Sequence, residues 1–298
     1  MTASGRSIGG QDAKRLAKQA ISLAYFVVRG FSRVLLQAMG RSPDPRLVVL
    51  YYHGIPTADR ANFARQLQAL EQGARVWPAF HRGSLPPGNR NVAITFDDAY
   101  VSVAENALPE LAARGFHSTI FVPMGSLGRA PTWPMEEGSL DASETVMPAE
   151  QIARLPSSLV TLGSHTTTHP RLSRIDASEA REEIEGSRVK LQTLTTQDVR
   201  LFAFPYGDHD SSVVELCKGA GYDYVFTTMP QPVDTMSSDF VRGRVRVDPF
   251  DGPLEFFLKY RGAYAWMPHV SSFKQKLTSY RKPRETRQPS YSQSILGK

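Results

Sequence analysis

The chain contains 298 residues, of which 41% are hydrophobic and 21% are charged, and this balance is typical of a folded protein rather than a disordered or collagen-like one. Its single cysteine, Cys217, excludes a disulfide framework and any multi-cysteine zinc or iron–sulfur site. The net charge of +6 is uneven, because residues 1–46 and 274–298 each carry +6 and residues 47–273 carry −6. The acidic middle disfavours nucleic acid as its principal partner.

The N-terminal segment, residues 1–46, is predicted to contain a basic amphipathic helix over residues 12–39. Lys18, Arg29 and Arg33 fall on one face at helical spacing, and the rest of the helix surface is broadly apolar. Such a helix suits the surface of an anionic membrane. The alternative is that it packs on the domain that follows.

The C-terminal tail, residues 274–298, is also basic and is predicted to be disordered, with the same capacity to touch anionic lipid. The nearest approach to a membrane span near the N-terminus is the uncharged stretch 20–28, which is much shorter than the ~20 apolar residues that span a bilayer. We therefore expect a cytoplasmic protein with peripheral contact at the inner face of a bacterial membrane, and export is the less expected outcome.

Between the two ends, residues 47–273 alternate short apolar runs with longer helical patterns, which predicts parallel strands joined by βαβ crossovers. About seven such units favour an α/β fold, a distorted or incomplete (β/α) barrel of about seven parallel strands. The predicted strands are 47–52, 92–96, 118–122, 159–164, 200–204, 224–228 and 241–247. The predicted helices are 61–72, 100–114, 148–155, 177–195, 211–220 and 253–260, and 123–147 is a predicted long loop.

Polar residues follow four of the predicted strands. In parallel α/β folds the chemistry collects at the carboxyl ends of the strands. We therefore expect these residues to share one rim of the barrel. They are His53, the pair Asp97 and Asp98, His165, and the turn at 205–207.

Two pairs at this rim indicate a metal site. His165 and His169 would lie on one face of a single helical turn, and neutral imidazoles bind zinc and other first-row divalent ions. Asp97 and Asp98 are adjacent at a strand end, so one can bind a metal while the other faces the substrate. Two imidazoles and a carboxylate leave positions for water, as in hydrolytic sites. The alternatives are surface histidines and loop-capping aspartates.

Three motifs, in this order, resemble the polysaccharide deacetylase family, also called carbohydrate esterase family 4 or the NodB-homology domain. They are TFDDAY at 95–100, SHTTTH at 164–169 and FPYG at 204–207. The resemblance covers about residues 47–265 and neither basic end. It implies a distorted (β/α) barrel and metal-dependent hydrolysis of N-acetyl groups, or less expectedly O-acetyl groups, on sugars of a polysaccharide or a glycan precursor.

Carried over by position, the resemblance implies a role for each motif residue. Asp97 corresponds to the general base. The backbone N–H of Tyr206, which follows Pro205, corresponds to the donor that supports the oxyanion. One divalent ion is implied, zinc first, with cobalt, nickel and manganese as alternatives. Its ligands correspond to Asp98, His165 and His169.

One departure from the family concerns the arginine that many members place before the P-Y motif to hold the catalytic aspartate. This chain has Ala203 and Phe204 there. We expect Arg244, in preference to Arg246, to supply the guanidinium from a later strand. The alternative is that both arginines are exposed strand charges.

A second departure concerns the general acid, because the family's late leucine-x-histidine motif has no match at residues 258–260. His53 is the candidate because its strand ends at the same rim, and its alternative is a satisfied core histidine. His269 lies in a weakly patterned tail, and His117 and His209 are less persuasive. The acid stays open.

The expected partner is an acetylated carbohydrate, and no nucleic acid is expected. Trp133, Tyr206 and Trp266 are the aromatic residues that could stack on sugar rings. The competing hypothesis is a non-catalytic, metal-containing carbohydrate-binding protein on the same fold, which the two departures favour and the intact motifs oppose.

Overall fold

Nine strands form one curled sheet in the computed structural model of this chain, which describes residues 8–41, 43–88, 90–135 and 139–268. The strands are β1 (Leu47–Tyr52), β2 (Arg75–Val76), β3 (Asn91–Phe96), β4 (Ser118–Val122), β5 (Val160–Ser164), β6 (Leu201–Ala203), β7 (Tyr224–Phe226), β8 (Val241–Arg242) and β9 (Val245–Arg246). The helices are α1 (Ile8–Ala38), α2 (Arg60–Gly73), α3 (Leu108–Ala112), α4 (Ala149–Ala153), α5 (Ala177–Arg181), α6 (Ser187–Thr195), α7 (Ser211–Gly219) and α8 (Pro253–Tyr260).

The sheet curls until its two edges meet at one segment. The strand order is β8-β7-β6-β5-β4-β3-β1-β9, with β2 added to β3, and every pairing of named strands is parallel. Only Gly243 and Arg244 separate β8 from β9 along the chain. Gly243 is required there, because a Cβ would lie 2.5 Å from the carbonyl oxygen of Gln231 and 2.6 Å from that of Met229. The fold is therefore the incomplete (β/α) barrel that the sequence predicts.

Both faces of the sheet are buried in apolar clusters. Val48 and Leu50 of β1 belong to the larger cluster, which the sheet shares with the helices. Leu47 and Val49 belong to a smaller cluster on the opposite face, as the alternation of strand side chains requires. Burial on both faces makes parallel strands read as continuous apolar runs, which is why the sequence indicates them clearly.

Three predicted elements differ in detail. The strand at 241–247 is divided into β8 and β9, because the chain passes from β7 to β1 within it. The helix at 177–195 consists of α5 and α6 joined by a π-helical turn, Glu182–Gly186, and a π-helical turn also precedes α3 in the helix at 100–114. Such turns add a residue to the helix and are frequent at functional sites.

The N-terminal helix α1 lies against α8 and corresponds to the helix predicted at 12–39. Arg15 Nε donates to Glu255 Oε2 at 2.7 Å, and Trp266 Nε1 donates to Ser22 Oγ at 2.9 Å. The polar face of α1 therefore packs on the domain that follows it. The predicted tail at 274–298 lies outside the described residues.

Candidate active site

A cleft of about 730 Å³ opens at the carboxyl ends of the strands. His53 follows β1, Asp97 follows β3, and His165 follows β5, so parallel strands deliver them to one rim. Six of the predicted site residues line the cleft: His53, Asp97, Asp98, His165, His169 and Tyr206. The other two, Pro205 and Arg244, are buried.

Asp98, His165 and His169 form a group that can hold a metal ion, with ligand atoms all within 4.8 Å of one another. Asp98 Oδ1 is 3.6 Å from His165 Nε2 and 3.5 Å from His169 Nε2. This buried oxygen has no hydrogen-bond partner in the part of the chain that the structure describes. Ligands at about 2.1 Å from one tetrahedral ion lie roughly 3.4 Å apart. The donor set therefore fits a divalent metal ion.

Both imidazoles are neutral, which is the state that binds metals. Burial lowers the pKa of His165 to about 4 and that of His169 to about 2. His165 Nδ1 donates to the carbonyl oxygen of Ala203 at 2.7 Å, which leaves the Nε2 lone pair facing Asp98. Burial and the charge of Asp97 raise the pKa of Asp98, which favours the neutral acid. The Asp98 carboxylate is therefore stable in its ionised form only with a cation beside it.

The segment from His165 to His169 is a loop and not a helical turn, so that prediction is wrong. Thr166 and His169 adopt left-handed backbone conformations, with φ of 67° and 63°. Thr166 Oγ1 accepts a hydrogen bond from the His169 N–H at 3.0 Å and so closes the loop. The two histidines meet because the backbone reverses between them.

Left-handed backbone is concentrated at the rim of the cleft. Among the described residues, six other than glycine have positive φ, and Thr196 at the end of α6 is the only one that lies elsewhere. Residues held in this region cost roughly 1–3 kcal/mol each and cluster at functional sites. The five at the rim are Asp98, Ala99, Thr166, His169 and Tyr206. The rim is thus a strained part of an otherwise regular barrel.

Arg244 holds Asp97 with two parallel hydrogen bonds. Its Nη1 donates to Asp97 Oδ1 at 2.6 Å, and its Nη2 donates to Oδ2 at 2.8 Å. Both side chains are buried. Burial is the largest single influence and raises the pKa of Asp97, but the charge and the hydrogen bonds of Arg244, with smaller contributions from the surroundings, together lower this pKa below its usual value. Arg246, in contrast, is exposed and pairs with Asp248 at 3.1 Å.

Aromatic rings enclose His169. The Trp133 ring stacks on the imidazole at 4.4 Å, and the Tyr206 ring lies edge-on to it at 4.7 Å. Trp133 is only 8% exposed, so its ring supports His169 and leaves little surface for a sugar. Trp266, bonded to Ser22 of α1, is not among the residues that line the cleft.

The histidines considered as acids lie in different places. His53 lines the cleft, with its ring edge-on to Tyr51 at 5.7 Å. His117 contacts Thr161 of β5 and His209 stacks on Phe204, and neither is among the cleft-lining residues. His269 lies outside the described residues.

Glu183 supports the site although no motif contains it. It is buried in the π-helical turn, and its carboxylate accepts hydrogen bonds from the Thr167 N–H at 2.7 Å and the Thr168 N–H at 2.9 Å. The Thr168 hydroxyl donates to the same carboxylate at 2.7 Å. A signal for it exists in the sequence, because Glu183 follows Ala180 by three residues and so falls on the apolar face of the predicted helix.

Replacing Glu183 by glutamine is expected to weaken zinc binding about 10- to 100-fold, as removal of an outer support of a metal ligand does. An amide has one acceptor oxygen for three donors, so the loop that carries both histidines loosens. Calorimetric titration with zinc checks this. The matched control is Glu182→Gln, on the exposed neighbouring side chain, which should bind zinc like the wild type. Equal affinities of the two variants would contradict the role of Glu183.

Comparison with known proteins finds similarity to polysaccharide deacetylases. A family model described as polysaccharide deacetylase matches residues 84–225. The protein YxkH of Bacillus subtilis (strain 168), named as a candidate polysaccharide deacetylase, is 24% identical over 215 residues, which cover 68% of this chain and 72% of YxkH. The poly-beta-1,6-N-acetyl-D-glucosamine N-deacetylase of Escherichia coli (strain K12) is 29% identical over 181 residues, 49% of this chain. The match spans only 26% of that relative.

Solved structures are similar as well. IcaB from Ammonifex degensii has a TM-score of 0.60 and 27% identity, and the match covers 75% of this chain and 99% of IcaB. The Streptococcus pyogenes deacetylase PplD has a TM-score of 0.59 and 19% identity over 72% of this chain and 98% of PplD. The second likeness concerns the fold alone.

Proposed function

Since this chain belongs to the polysaccharide deacetylase family, we propose that it is a metal-dependent hydrolase that removes N-acetyl groups from sugar units of a polysaccharide or glycan precursor. The observation that carries the proposal is Asp98 Oδ1, a buried carboxylate oxygen that faces two neutral imidazoles at 3.5 and 3.6 Å. An ionised Asp97 lies beside it. The names of the relatives put a β-1,6-linked N-acetylglucosamine polymer first among the substrates to test.

Asp97 acts as the general base. Because its pKa is held below the usual value, it is ionised at neutral pH and can accept a proton from water. Arg244 bonds both carboxylate oxygens, so Asp97 keeps one orientation while each oxygen retains a lone pair for the proton. Arg244 is buried and acts through Asp97, so it is a positioning residue.

A divalent ion held by Asp98, His165 and His169 would supply polarisation of the acetyl carbonyl and a lowered pKa for a water molecule. The Tyr206 backbone N–H donates a hydrogen bond to the oxyanion that develops on the acetyl group. His53 donates a proton to the leaving amine, since it is the cleft-lining histidine outside the metal-binding group among the described residues.

The proposal is tested by acetate release. We expect the purified protein to contain one divalent ion and to release acetate from β-1,6-linked N-acetylglucosamine oligomers, with chitin oligomers and O-acetylated xylan as comparison substrates. Removing the metal with a chelator should abolish release, and adding zinc should restore it. Binding of these glycans without release would instead support the non-catalytic carbohydrate-binding protein, and activity that survives complete metal removal would contradict metal dependence.

A further inference from the structure

The N-terminal helix presents its apolar side to solvent. Of the fifteen large hydrophobic side chains that are exposed among the described residues, nine lie on α1 or directly after it. The surfaces of soluble proteins rarely carry so continuous an apolar patch unless it binds a partner or a membrane. Of these nine, six are more than 60% exposed: Leu16, Val27, Val28, Phe31, Val34 and Met39.

The opposite, polar side of α1 is bound to the folded domain. Arg15 donates to Asp251 Oδ1 at 3.0 Å as well as to Glu255, and Gln19 Nε2 donates to Glu255 Oε2 at 2.7 Å. Lys259 completes this network with a 2.6 Å bond to Asp251. Because these groups are mostly buried, separating the helix would leave charges without partners. The domain therefore fixes which side of α1 faces outward.

The shape and charge of the exposed side favour lipid over a second helix. With about 100° per residue, Leu23, Phe31 and Ile21 span an arc of roughly 160°, far wider than the seam of a coiled coil. Exposed Lys14 and Lys18 border this arc on one side. Asp12 is the one acidic residue in the α1 sequence. A broad apolar arc with basic residues beside it is typical of helices that lie in the membrane interface.

We propose that α1 lies flat in the interface of a bilayer that contains anionic lipid, with its apolar side in the lipid and the folded domain in water. By length and composition α1 could also span a bilayer. In its docked position, however, a span would bring Arg15, Asp251 and Glu255 into hydrocarbon, where charges are costly. The flat arrangement keeps all three on the aqueous side.

One edge of the cleft lies beside α1. Phe250 lines the cleft and lies 5.5 Å from the Arg15 guanidinium of α1. Phe250 is 44% exposed, and the neighbouring Leu254 at the start of α8 is 53% exposed. Exposed apolar side chains thus lie at the edge of the cleft beside the N-terminal part of α1, so that substrate would be taken up close to the bilayer.

Flotation with vesicles tests the proposal without any substrate. We expect the full chain to float with vesicles of equal parts phosphatidylglycerol and phosphatidylcholine. The double variant Val27→Gln/Phe31→Gln should bind at least 10-fold more weakly, because it lacks two apolar side chains that move from water into the lipid when the wild type binds. The matched control is Val189→Gln on α6, since Val189 is 62% exposed and Val27 is 61% exposed. Wild type that stays unbound, or a double variant that binds equally well, would overturn the proposal.

Two further measurements test the alternatives for the apolar side of α1, which are that it spans the bilayer or that a second copy of the chain covers it. Alkaline carbonate should release the bound protein, and protein that remains in the vesicles would mean that α1 spans them. Light scattering without lipid should give a monomer, and a dimer that the double variant dissociates would mean that a second copy covers α1. Acetate release from soluble oligomers should be equal in wild type and double variant, so failure of membrane binding is distinguishable from failure of the deacetylase proposal.

Discussion

Replacing Asp97 by asparagine is expected to lower acetate release by roughly 100- to 10,000-fold, the range that a positioned general base contributes. Asparagine has nearly the same shape, but its amide cannot accept the proton from water at neutral pH. The metal content should remain one ion per chain, because the metal-binding group contains Asp98 and not Asp97. Initial rates and metal analysis on the same preparation check both parts.

The neighbouring variant Asp98→Asn is the control for this prediction. It should lose the metal and the activity together, since it removes the charged ligand and leaves two neutral imidazoles. Circular dichroism shows whether each variant is folded, and rates are compared per folded molecule. Loss of metal in Asp97→Asn with retention in Asp98→Asn would reverse the two roles. Full activity of Asp97→Asn would remove Asp97 from the mechanism.

The variant Arg244→Gln should have the largest effect on stability. Removing one partner of a buried ion pair typically costs about 3–5 kcal/mol, because the other charge stays buried without compensation. Here the remaining charge is Asp97, which lies among buried groups and loses two bonds of 2.6 and 2.8 Å. We expect the free energy of unfolding in urea to fall by that amount and acetate release to fall with it, since Asp97 loses both its orientation and its lowered pKa.

Arg246→Gln is the matched control, two residues along the same segment. Its pair with Asp248 is exposed, and exposed pairs contribute about 0–1 kcal/mol. The double variant Asp97→Asn/Arg244→Gln should recover part of the stability that Arg244→Gln loses, because no unpaired charge remains buried. Equal destabilisation by Arg244→Gln and Arg246→Gln would contradict the structural importance of the Asp97–Arg244 pair.

The motif residues could be predicted because their chemistry is a matter of residue type. Carboxylates and imidazoles that directly follow apolar strands indicate a rim site, and Asp97, Asp98 and His165 meet that description in the sequence alone. The geometry between His165 and His169 could not be predicted. It depends on the carboxylate of Glu183, whose bonds to the loop join residues 15 and 16 positions apart.

The sequence by itself determined the α/β class, the strands of the barrel, the residues at their ends and the amphipathic N-terminal helix. Each of these follows from local periodicity or from residue type. Only the tertiary structure decided that Arg244 and not Arg246 meets Asp97, 147 positions away. It also decided that the polar side of α1 binds the domain, through Arg15 and Glu255, 240 positions apart. Periodicity shows that a helix has two different faces, but only long-range contacts decide which face is buried.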